Sequence, residues 1–233
     1  MWSLSPAESE ALFLSLKVAI WSVAASLPVA VALAWVLARR EFPGKALLDA
    51  VVHLPLVLPP VVVGYFLLVL FGRQGFIGAP LERFLGISFA FRWTGAALAC
   101  AVMGLPLLVR AVRQSLDAVD PALEGAAATL GAPPAWVFAS VTLPLILPGI
   151  LTGMLLSFAR SLGEFGATIT FVSNIPGETQ TLPLAIYTFT QVPGGDAQAL
   201  RLCFISIALS LAALLASETL LRSATARAAG RDA

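Results

Sequence analysis

Arg160 and Glu164 stand four positions apart in a largely apolar stretch, so a helix would make them neighbours on one face. Ionisable groups in such a place either serve a function or satisfy one another as a pair that braces the helix end. Ser161, Thr168 and Thr170 lie beside them and offer hydroxyl donors, although hydroxyls among packed apolar helices more often bond helix backbones or neighbouring helices. Asp49 and His53 repeat the four-residue spacing; together they could relay a proton, or simply meet water at the start of a span. His53 is the only histidine, which excludes a histidine-rich metal site. No Gly-x-Ser-x-Gly element accompanies it, so a serine hydrolase lacks support and no catalytic residue is expected. A phosphate cradle of the Gly-x-x-x-x-Gly-Lys-Ser/Thr kind is missing too: Phe42-Pro-Gly-Lys45 has the Gly-Lys pair without the earlier glycine or the hydroxyl.

The elements that must position these residues are set by the solvent. Of 233 residues, 59% are hydrophobic and only 12% charged, and the mean hydropathy is +0.92. A soluble domain carries about 25% charged residues, so half that amount cannot clothe a surface in water. The net charge is +1 with no basic stripe, which argues against a nucleic-acid partner. Cys100 and Cys203 sit inside apolar runs and read as small core residues, not as a disulfide pair. What remains is an integral membrane protein in contact with lipid.

About 20 mostly apolar residues are needed to cross the bilayer core. Runs at about 11–38, 46–71, 93–112 and 200–221 meet that need, and a fifth runs from about 144 to 163 before polar residues and glycines blur its end. Leu182–Thr190 is apolar but too short to span, and reads as a re-entrant or interfacial piece. The expectation is therefore an all-α, polytopic helical bundle of five crossings, with six if that piece packs as a further span, in one domain over 1–233. Arg39, Arg40 and Lys45, then Arg110 and Arg113, then Arg222, Arg227 and Arg231 all fall on one side, which the positive-inside rule makes cytoplasmic. The N-terminus is then outside and the C-terminus inside. Arg73, Arg83 and Arg92 oppose the rule from the outer loop, partly offset by Glu82. Glu8 and Glu10 stand where a signal peptide would be basic, so the first run reads as an anchored helix, bent at Pro28. Pro55, Pro59 and Pro60 imply a distorted second span. Trp2, Trp21, Trp35, Trp93 and Trp136 read as interface anchors.

The loop at about 115–144 has the most internal order. Asp120 suits an N-cap and Pro121 the first helical position. Gly131 can take the left-handed conformation that ends a helix, and Pro133-Pro134 forbid continuation. These signals predict a helix over Pro121–Leu130 and a second starting near Pro134. Ala126, Ala127 and Ala128 give the first helix a small profile. Such a profile suits insertion into a groove on another protein, or a helix lying on the membrane without a partner.

Glu124-Gly-Ala-Ala-Ala-Thr-Leu-Gly131 with Val141-Thr-Leu-Pro144 resembles the EAA loop of ABC-importer permeases: Glu-Ala-Ala, three residues, Gly, nine residues, Ile-x-Leu-Pro. Aligned on Gly131, this chain has Gly125 in place of the family glutamate, then Ala126 and Ala127, and Glu124 lies one position early. The stretches Pro55–Tyr65 and Ser161–Tyr187 look like the molybdate (ModB-type) branch of these permeases, and the core Gly163-Glu-Phe-Gly-Ala167 is shared with sulfate permeases. The resemblance covers about 45–220, with the first span matched by hydropathy alone.

The resemblance implies the type I ABC-importer permease fold, and a bacterial inner-membrane subunit that carries molybdate, and tungstate, by alternating access. It implies a second permease copy, two ATP-binding cassette subunits and a periplasmic molybdate-binding protein as partners. The helix carrying Glu124, Gly125, Ala126, Ala127 and Gly131 would couple to the ATPase. No cofactor is expected on this chain itself, and ATP with magnesium would act in the separate ATPase. Arg160, Ser161, Glu164, Thr168 and Thr170 are the candidates for the translocation path. Moving a dianion inward against 100 mV costs about 4.6 kcal/mol, so a passive pore would exclude such a cargo and an energy source is needed. A sulfate or thiosulfate permease is the near alternative. A stand-alone secondary anion transporter, driven by protons through Asp49, His53 or Glu164, is the distant one.

Overall fold

The computed structural model describes residues 4–229, with side chains as far as residue 219. Trp2 and Arg231 lie outside the described residues, as do the side chains of Arg222 and Arg227. Among the described residues every regular element is helical.

Helix α1 (Pro6–Arg39) starts on a capping box: the Glu8 amide donates to Ser5 Oγ at 3.3 Å and the Ser5 amide to Glu8 Oε2 at 2.6 Å, with Pro6 at the first helical position. It continues through Pro28 as a single helix, and 34 residues make it about 51 Å long. The second apolar run is two helices, α2 (Lys45–Val57) and α3 (Pro60–Phe71), whose axes differ by 114°. The cause is local. Leu58 is extended ahead of Pro59, and the Pro59-Pro60 pair removes two backbone donors. A short helix, α4 (Gly78–Leu85), closes at Gly86 with φ +66° and leads to α5 (Trp93–Asp117).

Helix α6 (Pro121–Thr129) follows, then α7 (Pro134–Val137), a π-helical segment (Phe138–Thr142) and α8 (Leu143–Leu162). These last three form one continuous 29-residue helix, so the fourth long span begins ten residues before the sequence pattern suggests. The π turn explains why Pro144 does not break it. In the π segment the Leu143 amide donates five residues back, to the Phe138 carbonyl. The ladder is thereby re-registered just where a proline ring would strike the carbonyl four residues behind it. The chain ends with α9 (Gly166–Val172), α10 (Leu182–Thr190) and α11 (Asp196–Ala229). Nine residues make α10 far too short to span.

The axis of the bundle is α5, flanked by α1 and α8. Its seam with α8 is built on small residues: Gly104 abuts Ser157, Gly149 abuts Ser115, and a Cβ on Gly153 would meet Leu108 at 2.8 Å. In lipid, where apolar burial gives helices little reason to associate, such close backbone approach supplies the van der Waals energy. Leu14, Val18, Val63, Leu67, Met103 and Phe171 form a core towards one end of the bundle. Leu37, Val52, Val112, Leu116 and Ile146 form another towards the end that carries α6. Since Val52 lies on α2 and Val63 on α3, the bent pair passes from one end to the other. Helix α11 exposes Leu200, Phe204, Ile207, Leu211 and Leu215, a face that only lipid or another helix can cover. Four helices are long and apolar enough to cross a membrane, and five if the bent pair counts as one.

Candidate coupling loop and membrane-depth ion pair

Helix α6 is set by its caps. Asp120 Oδ1 accepts from the Ala122 amide at 2.8 Å, Pro121 occupies the first position, and Gly131 takes φ +85° just past the end. No residue of α6 is buried. Glu124 and Ala127 turn towards the rest of the chain and are half-covered, whereas Ala122, Leu123, Gly125, Ala126, Thr129 and Leu130 are exposed. Leu130 is 89% exposed and Leu123 49%. With Trp136, also exposed, these leucines make an apolar surface that the alanine pattern alone did not reveal. The available signal was a pair of leucines in a loop otherwise capped for water.

Glu124 has two partners from distant parts of the chain. Its Oε1 accepts from Arg39 Nη2 at 3.2 Å and from Thr142 Oγ1 at 2.8 Å. Beside this contact, a groove of about 1040 Å³ opens between α1 and the loop, lined by Pro28, Val31, Trp35, Gly125 and Phe138 among others.

In the last turn of the apolar helix α8, Arg160 Nη1 lies 2.7 Å from Glu164 Oε2, so the four-residue spacing does bring the two together. The Glu164 side chain is 1% exposed and that of Arg160 29%. Glu164 also caps α9, because its Oε1 accepts from the Ala167 amide at 2.8 Å. The three hydroxyls are bonded locally. Ser161 Oγ donates to the Ser157 carbonyl at 2.9 Å and sits 3.1 Å from Ser22 Oγ on α1. Thr168 Oγ1 donates to the Phe165 carbonyl at 2.8 Å, and Thr170 Oγ1 to the Gly166 carbonyl at 2.9 Å. Of the five candidates, Arg160 combines a charge with an open side. A polar cluster not singled out from the sequence lies on the connection to α10, where Asn174 Nδ2 donates to Thr188 Oγ1 at 2.8 Å and Gln180 Nε2 to Asn174 Oδ1 at 3.0 Å.

Asp49 and His53 do share a face, but Asp49 Oδ1 is taken by Arg113 Nη1 at 2.8 Å, and His53 Nδ1 lies 2.8 Å from the Asp49 carbonyl. This arrangement ties α2 to α5. Cys100 and Cys203 are both free thiols.

Residues 26–226 match the family described as the binding-protein-dependent transport system inner membrane component. The chain belongs to that family. It is 61% identical over 225 residues to the molybdenum transport system permease protein ModB of Escherichia coli K12, covering 97% of this chain and 98% of that one. Identity to the sulfate transport system permease protein CysW of Synechococcus elongatus is 40% over 214 residues, covering 90% and 74%. Among solved structures it is similar in fold to a chain of the MetNI methionine ABC transporter in inward-facing conformations. The TM-score is 0.66 at 16% identity, over 96% of this chain and 97% of that one. Permeases of this family reside in the inner membrane, and the exposed apolar face of α11 fits that setting.

Proposed function

We propose that this chain is the permease subunit of an ATP-driven importer that moves molybdate, and with it tungstate, across the bacterial inner membrane by alternating access. The observation that carries the substrate is the 61% identity to a molybdenum permease along nearly the whole of both chains. The sulfate relative stands at 40% and leaves about a quarter of its own length unmatched. The working complex holds two copies of this chain, two ATP-binding cassette subunits and a periplasmic molybdate-binding protein. ATP and magnesium act in the cassette subunits, and this chain carries neither cofactor nor catalytic group.

With five crossings, counting the bent pair as one, α6 and Ser5 lie on opposite sides, and Arg39, Arg40, Lys45, Arg110 and Arg113 at the α6 end support a cytoplasmic α6 by the positive-inside rule. The exposed face of α6, with Gly125, Ala126, Leu123 and Leu130, docks in a groove of the ATPase, while Glu124, Ala127 and Gly131 shape the helix from behind. In the translocation path Arg160 is the leading contact for the dianion, because its guanidinium, paired with Glu164 on one side, still keeps an exposed side where an anion can approach. Ser161, Glu164, Thr168 and Thr170 hold the helices that present it. Weak contacts suit a carrier, since a tight site would not release its cargo.

The test is uptake of labelled molybdate into proteoliposomes containing this chain, its ATPase and its binding protein. Uptake should require ATP and the binding protein, and excess tungstate should compete while sulfate does not. Competition by sulfate alone would move the assignment to the sulfate branch. Uptake without any ATPase subunit would make the chain a secondary transporter.

A further inference from the structure

We propose that Arg39 and Thr142 are positioning residues of the coupling machinery: they grip Glu124 and make α6 move as one body with the cytoplasmic ends of α1 and α8. This rests on the reading of α6 as the element an ATPase subunit pushes. A pushed helix transmits force only through what holds it. Among the described residues, the side-chain hydrogen bonds that join α6 to other helical elements are the two on Glu124. Everything else is chain continuity at its two ends and loose apolar contact around the groove.

The geometry suits a clamp. Arg39 is the last residue of α1, and Thr142 the last of the π segment, where it is 2% exposed. Both reach the same oxygen of Glu124, so one carboxylate joins three elements. Arg39 Nε is buried without an acceptor, and both side chains of the ion pair are partly buried. Partial burial strengthens the attraction over that of an open surface pair. Neighbouring Arg40 faces the Trp35 ring at 5.2 Å instead, so the Glu124 contact belongs to Arg39.

The two donors come from different elements, the end of α1 and the π segment, so α6 is tied to both through one atom. Thr142 also stands where the wide turn meets α8, and such turns recur at functional places in helices. From there α8 runs unbroken for about 27 Å to Arg160. A displacement of α6 is thereby passed to the helix that carries the membrane-depth pair. The glutamate lies one position before the family's usual place, and its partners within this chain give it a role that does not depend on contacting the ATPase.

The test uses the reconstituted complex, reading three quantities: ATPase subunit retained on purification, ATP hydrolysed, and molybdate taken up per ATP. Arg39→Ala should retain the subunit and hydrolyse ATP, yet lose uptake per ATP by about tenfold, the size of an ordinary coupling effect. Thr142→Val, which keeps the side-chain shape, should give a smaller loss in the same direction. Arg39→Glu combined with Glu124→Arg should recover most of the lost ratio. An unchanged ratio in Arg39→Ala and Thr142→Val overturns the clamp, and so does loss of the ATPase subunit in both, which would make the contact a docking requirement. Should Arg39→Ala fail to fold, Thr142→Val and the double exchange decide alone. Wild-type complex that shows no ATP-driven uptake would instead fell the importer reading, and that outcome is visible in the control.

Discussion

The α5–α8 seam and the α6 loop are held by opposite means. The seam is closed by glycines set against the side chains of Ser157, Ser115 and Leu108, so near that an added carbon would have to displace them. The loop helix buries no residue and is fastened by one carboxylate. Close packing is short-ranged and intolerant, so it fixes an axis that must not change. A polar tether keeps its partners while the surface around it stays free to meet another protein. The division of the molecule into a stiff axis and a tethered lever follows from those two kinds of contact.

The sharpest way to break the comparison is to overfill the seam. Gly149→Leu must displace Ser115 and the α5 backbone, and overpacking of this kind costs about 3 kcal/mol or more. The expected result is loss of folded protein in detergent by size-exclusion chromatography. Next is Glu164→Ala, which removes the partner of Arg160 and the cap of α9 together. Breaking a fully buried pair costs about 3–5 kcal/mol, and the cost here is lower because the Arg160 side chain is 29% exposed. Thermal unfolding should fall by many degrees, and Arg160→Met with Glu164→Met should recover much of the loss. On the lever side, Leu130→Asp should change unfolding by less than about 0.5 kcal/mol because the side chain is exposed. It should nevertheless abolish molybdate-stimulated ATP hydrolysis. Asp120→Ala should shorten or fray α6 at a cost of about 1 kcal/mol, seen as faster proteolysis between α5 and α7. Smallest of all, His53→Ala should leave uptake and its pH profile unchanged, since Arg113 already holds Asp49.

Much of the loop was legible because caps are local. Asp120, Pro121 and Gly131 act within a turn of themselves, so the expected helix over Pro121–Leu130 ends within one residue of Pro121–Thr129. The nine residues of α10 were legible for the same reason, bounded by prolines and polar residues at both ends. The distortion of the second span could be read from Pro55, Pro59 and Pro60. Its 114° size could not, because α3 takes its direction from packing on α9, where Gly64 meets Ala167 and Gly166 meets Pro60. Hydropathy set the start of this span near 144, and only the π turn ahead of Pro144 lets one helix run through from Pro134. The partners of Glu124 were hidden, since Arg39 lies 85 residues away and no spacing rule connects them. At the Arg160–Glu164 pair the four-residue rule found the contact, and Ser161, Thr168 and Thr170 bond helix backbone, with Ser161 also meeting Ser22 on α1, as hydroxyls among packed helices more often do.

The measurement that bears most directly on the lever is cross-linking in intact cells from Leu130→Cys, in a chain whose native thiols, Cys100 and Cys203, are replaced by alanine. The lever predicts a cross-link to the ATP-hydrolysing subunit whose yield changes when nucleotide is trapped, and no labelling by an impermeant maleimide from outside. Labelling from outside, or a cross-link to no nucleotide-hydrolysing neighbour, would contradict it.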